Sequence, residues 1–167
     1  MKKMLIVFSA VLLVLSAALL AGGEEKKMMM KSNFPPPEGK AFLNYITEVS
    51  PYQGWGVWPG HEGLEEGKSP HGKFIKLLAN PVALKAAREG KELPHGAIIM
   101  KENFNENKEL VALTPMYRVK GYNPEGGDWY WAKMGPDGKI MAEGKIKGCI
   151  DCHAKVKKKD WIFHSPK

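Results

Sequence analysis

Apolar positions recur at helical spacing through Ala41, Phe42, Tyr45, Ile46 and Val49, which predicts an amphipathic helix over residues 38–50 with one buried stripe. Trp55 and Trp58 follow in a Gly/Pro-rich stretch and read as core anchors or a lid. Residues 73–79 form a short apolar run suited to a strand. Asn80-Pro81 then supplies an N-cap and a first-turn proline for a helix that ends before Gly90. Four further strands are predicted at 96–104, 110–120, 128–134 and 139–143, with turn chemistry at Asn105-Glu106-Asn107, 123–127 and Pro136-Asp137-Gly138. Strands joined by such short turns make an antiparallel meander, so the expected fold class is mainly β with two or three helices. No internal repeat is present.

The beginning of the chain has a different pattern. Met1-Lys2-Lys3, an apolar run over 4–20 and Ala21-Gly22-Gly23 read as a secretory signal over residues 1–23. The competing reading is an uncleaved membrane anchor, since 17 apolar residues approach spanning length. No cysteine follows the run, which argues against a lipoprotein. Residues 24–37, carrying Met28-Met29-Met30 and Pro35-Pro36-Pro37, read as a flexible linker, and 38–167 as one domain. The expected location is therefore the periplasm or the outside of the cell.

Charge changes this picture little. The 25 Lys and Arg against 18 Asp and Glu give +7, and +5 without Lys2 and Lys3. From Lys133 onward nine lysines face four acids, which gives either a positive face that steers an acidic redox partner or a plain solvated surface. Neither aromatic interleaving nor a known motif supports nucleic-acid binding.

The chemistry is concentrated in Cys149-Ile150-Asp151-Cys152-His153, the CxxCH form of covalent haem attachment. Cys149 and Cys152 would each form a thioether to one haem c, and His153 would be the proximal axial ligand of its iron. A zinc site needs two further ligands at short spacing, but the chain has no other cysteine and His164 lies eleven positions beyond His153. A thioredoxin-like CxxC belongs near a βαβ pattern, and a disulfide here would close only a very short loop. Because this CxxCH lies near the C-terminus after the strands, the haem must pack against a sheet.

The run from Leu93 to Phe163 carries LPHGAIIMKENF, then LTPMYRVKGYNPEGGDWYWAKMGPDGKIMAEGKIKGCIDCH, and closes with DWIF. It resembles the cytochrome P-460 family, which includes the cytochromes c-prime-beta. The likeness reaches back to Lys68-Ser69-Pro70-His71-Gly72. It implies a β-rich homodimer with one c-type haem. In the cytochromes P-460 proper, a strand lysine is cross-linked to the haem and the enzyme oxidises hydroxylamine; Lys101 matches that lysine. In the cytochromes c-prime-beta, a five-coordinate iron under an apolar cap binds nitric oxide or carbon monoxide, with Phe74, Phe104 or Trp129 as the cap candidates here.

His71 departs from the aromatic residue that open-site members tend to place at this point. It reads as a distal iron ligand, as a hydrogen-bond donor or proton shuttle, or as a loop residue without a role. On a strand, Lys101 shares a face with Ala97 and Ile99. His61, His95 and His164 read as surface residues, Met100 and Met116 as core methionines with axial potential, and Glu102 and Glu143 as possible proton relays. The leading expectation is an electron-transfer cytochrome that passes electrons to a redox partner protein, with another cytochrome as one candidate. The alternatives are a nitric oxide-binding protein and, if Lys101 is linked to the haem, a hydroxylamine oxidase.

Overall fold

The computed structural model describes residues 33–166; the expected signal and most of the expected linker lie outside the described residues. From Pro37 onward the chain forms one compact unit. Its centre is an antiparallel sheet of eight strands: β1 (Gly56–Val57), β2 (Glu65–Glu66), β3 (Phe74–Ala79), β4 (Ile98–Phe104), β5 (Leu110–Leu113), β6 (Met116–Arg118), β7 (Trp129–Met134) and β8 (Ile140–Gly144). β1 and β2 both pair with β3, and the sheet then runs through β4 to β7 and β8 as the expected meander.

The predicted strand 110–120 is broken. β5 and β6 share one place in the sheet, each pairing with β4 on one side and β7 on the other. The interruption falls at Thr114-Pro115, where proline offers no N–H to the ladder. Thr114 still donates to the Lys101 carbonyl at 2.9 Å, and the Pro115 carbonyl accepts from Ala132 at 3.2 Å, so the pairing bends without ending.

Alternation along the strands gives the sheet two apolar faces. Register aligns Leu77 with Lys101, Ile99 with Met116, and Met116 with Trp131, which places these side chains on one face. Leu78, Met100, Ile98, Tyr117 and Tyr130 fall on the other. That second face is covered by α1 (Gly39–Asn44), whose Phe42 ring lies 5.4 Å from both Tyr117 and Tyr130. The first face is covered by α2 (Pro81–Arg88) and α3 (Lys147–His153) and by the C-terminal segment, with Ala83, Leu84, Ala87, Trp161 and Ile162 in one cluster with the strand residues.

The predicted helix over 38–50 is α-helical only to Asn44 and continues as a π-helical turn over Tyr45–Val49, closed by Ser50 N–H donating to the Tyr45 carbonyl. The wider turn rotates the last residues away from the stripe. Phe42 and Ile46 are fully buried as expected, but Val49 is 64 % exposed.

Asn80 ties α2 to the sheet. Its Oδ1 accepts from Ala83 N–H at 3.0 Å as the N-cap and from Ile98 N–H at 3.1 Å, and its Nδ2 donates to the Gly96 carbonyl at 2.7 Å. The residue is 1 % exposed, so none of these partners can turn to water instead. Asn80→Ala is expected to cost about 3 kcal/mol, a lost cap plus buried polar groups left unpaired. Urea denaturation of the haem-loaded protein would show this as a midpoint lowered by roughly 1–2 M; an unchanged midpoint would contradict the role.

Candidate functional site

Between the first sheet face, α3 and the C-terminal segment lies a small, partly open cavity of about 40 Å³. Its walls are mostly apolar: Leu77, Ile99, Met116, Trp131, Ile162 and Phe163. The polar groups on it are His71, Lys101, Thr114, His153 and His164.

His153 is the last residue of α3 and is buried. Its Nδ1 donates to the Trp161 carbonyl at 2.7 Å, which fixes the tautomer and leaves Nε2 as the nitrogen with a free lone pair. Trp131 and Phe163 hold the ring, with centroids at 4.6 and 5.1 Å. The carbonyl is brought there by a reversal of the chain at Asp160 and Trp161, whose φ values of 55° and 65° lie in the left-handed region. Neither residue is glycine, so the turn costs on the order of 1 kcal/mol or more per residue. Arg118 pairs with the Asp160 carboxylate, which also accepts from Leu93 N–H at 2.9 Å, so the turn is held from both sides.

His71 is oriented in a similar way. Its Nδ1 donates to Asn103 Oδ1 at 3.1 Å. Asn103 is itself fixed, because its Nδ2 donates to the carbonyls of Lys101 and Ala112, both at 3.1 Å, and to Thr114 Oγ1 at 3.0 Å. That arrangement leaves Oδ1 for His71 and for the N–H of Gly72. Gly72 allows the approach: a Cβ there would collide with the main chain of Phe104. Burial, and then the positive charge of Lys101, push the His71 imidazole down to about 4, so it is neutral near pH 7. The rings of His71 and His153 stand 6.5 Å apart, centroid to centroid and nearly perpendicular. Two metal–imidazole bonds of about 2 Å each, plus the ring halves, span a gap of that order.

Residues 52–164, about two thirds of the chain, match the family model described as Cytochrome P460. The chain belongs to that family. It is therefore a haem-binding cytochrome. No individual curated protein matches the chain.

The side chains of this cytochrome fit such a group. Cys149 and Cys152 are unbridged and half-buried on α3, three positions apart and so on one side of the helix. Burial, and then the neighbouring Cys152, raise the Cys149 thiol above its usual range. Trp131 Nε1 is buried on the sheet face that walls the cavity and has no hydrogen-bond partner among the described residues. An orphaned donor of this kind suits a cavity whose occupant brings an acceptor.

Lys101 also faces the cavity and shares its face with Ile99, as its strand position predicts. Burial brings its ammonium down to about 8, an effect opposed by Cys152, so a share of the amine is neutral in mildly alkaline solution.

Other expectations about this cytochrome need correction. His164 is no bystander on the surface: it lines the cavity, and burial followed by the charge of Lys101 lowers it to about 4. His61 is buried, its Nδ1 2.9 Å from a Glu65 carboxylate oxygen and its Nε2 3.1 Å from the Ser165 carbonyl. Both were missed because they depend on where the C-terminal segment folds back, which no local pattern announces. Phe74, Phe104 and Trp129 do not line the cavity; Trp58 and Phe163 are the wall aromatics beside Trp131. Met100 is on the opposite sheet face, whereas Met116 reaches the cavity. Glu102 pairs with Lys76, and Glu143 accepts from the Tyr130 hydroxyl at 2.6 Å, so neither meets the cavity. His95 is exposed as expected. No helix among the described residues is long and apolar enough to cross a membrane.

Proposed function

We propose that this protein is an exported electron-transfer cytochrome with one c-type haem. Cys149 and Cys152 would hold it through thioethers, and His153 and His71 would be its axial ligands. The observation that carries this reading is the opposed pair of neutral imidazoles, each with Nδ1 bonded to a fixed acceptor and each left with one lone pair for the cavity. The haem, when bound, supplies a one-electron couple. The protein's own contribution is rigidity. His153 is clamped by Trp131 and Phe163 and His71 by Asn103, so neither ring has to reorient when charge changes, and the apolar walls limit water.

A second reading rests on Lys101. A partly neutral amine facing the cavity is the nucleophile that a haem cross-link requires, and with it comes hydroxylamine oxidation.

Optical and electron paramagnetic resonance spectra of the mature haem-loaded protein separate these readings. Electron transfer predicts low-spin iron in both oxidation states and no rapid uptake of nitric oxide. A red-shifted ferrous Soret band would favour the Lys101 linkage instead. High-spin ferrous iron that takes up nitric oxide at once would favour a gas-binding protein.

A further inference from the structure

Outside the cavity runs a second, open cleft of about 590 Å³ between Gly90–Leu93 and the segment Lys157–Ile162. Lys91, Lys157, Lys158 and Lys159 line it, together with two acids, Glu92 and Asp160. Both acids are taken up by Arg118, which pairs with each of them while its guanidinium lies 5.1 Å from the Trp129 ring. One guanidinium cancels one of these two charges, so a single negative charge is left to set against the lysines. Lys91 pairs with Glu89 at 2.8 Å, whereas Lys157, Lys158 and Lys159 are exposed and form no ion pair among the described residues. Three ammonium groups in sequence, without internal partners, leave a positive field over the cleft that only an external anion can balance.

The cleft is also close to the chemistry. Trp58 and Ile162 line both the cleft and the cavity, so one layer of side chains separates them. The lysines belong to the 3-10 turn Ala154–Lys159, which follows His153 directly.

We propose that this cleft is the docking site for an acidic protein that exchanges one electron with the cavity cofactor, with Trp58 and Ile162 as the layer between them. This rests on the electron-transfer reading above. Docking by charge steers encounter and orients the partner, while the shared wall keeps the electron's path short. The group held by Cys149, Cys152 and His153 would give up one electron and the redox centre of the acidic partner would take it up, with no proton moved.

The test uses the haem-loaded protein and two protein probes, the acidic blue-copper protein plastocyanin and a basic mitochondrial-type cytochrome c. Stopped-flow oxidation of the ferrous protein by Cu(II)-plastocyanin is expected to slow about tenfold or more as salt screens the encounter. Lys157→Glu/Lys158→Glu/Lys159→Glu should slow the low-salt reaction at least tenfold and speed the reaction with basic cytochrome c. The milder triple exchange to Gln should fall between. Lys40→Glu/Lys73→Glu/Lys108→Glu, with the same charge change outside the cleft, should lose much less.

The proposal is overturned if the cleft variant reacts with plastocyanin at the wild-type rate, or if both triple Glu variants lose equally, which would mean net charge alone. It is also overturned if the cleft lysines govern only sedimentation with phosphatidylglycerol vesicles, which would assign the patch to a membrane surface. A mediated potentiometric titration keeps the premise separate: a reversible one-electron wave with an indifferent cleft variant sinks the docking site alone, and no reversible wave sinks the electron-transfer reading.

Discussion

The Cys149→Ala/Cys152→Ala variant is expected to lose covalently held haem completely, with no haem-stained band on a denaturing gel and no haem adduct in the intact mass. The chain has only these two cysteines, both unbridged and on one side of α3. Either single variant should keep one thioether, and so some stain, with altered spectra. The fold should survive in each, since neither side chain is fully buried. Covalent haem that persists in the double variant but disappears when Lys101→Ala is added would show that the lysine, not the thiols, is the anchor. Covalent haem that persists in that triple variant as well would contradict both assignments.

His71→Ala is expected to turn low-spin iron high-spin and open it to external ligands. If His71 is the distal ligand proposed above, carbon monoxide would have to displace an imidazole that is already oriented by Asn103. Removing that competitor should raise the apparent affinity of the ferrous form for carbon monoxide roughly a hundredfold, equivalent to an internal bond favoured by about 3 kcal/mol. His153→Ala should instead weaken the proximal side, and the two variants should not resemble each other. If His71→Ala remains low-spin, His164 is the first replacement to test, because it is the remaining imidazole on the cavity wall. If His71→Ala/His164→Ala also remains low-spin, the bis-imidazole reading fails.

What the sequence made legible follows a physical division. The proposed thioether attachment would need only contiguous residues, so the run from Cys149 to His153 stands out in the sequence. The meander was readable because its turns are written in Asn, Asp, Pro and Gly. Asn80-Pro81 foretold α2 because a cap is a local device. Lys101 could be placed on the face it shares with Ile99 because strands alternate with a fixed period.

Features that depend on distant parts of the chain were not readable. The exposure of Val49 follows from a π-helical turn that its composition does not signal. Pro115 was a visible breaker, but the apolar run on both sides concealed that the strand bends there. The roles of His61 and His164 depend on the return of the C-terminal segment, which is set at Asp160 and Trp161; an aspartate tolerates the left-handed region, but a tryptophan after it does not announce a second such residue.

That turn has a wider consequence. The acceptor for His153 is a main-chain oxygen, which no exchange of one side chain can delete. The basicity of the imidazole is thereby written into the path of the backbone, and a carboxylate at the same place would have drawn its proton more strongly. Tuning of this centre should accordingly come from a distance: loosening the Arg118 grip on Asp160 would shift the Trp161 carbonyl and, with it, the electron density on a ring that Arg118 never touches.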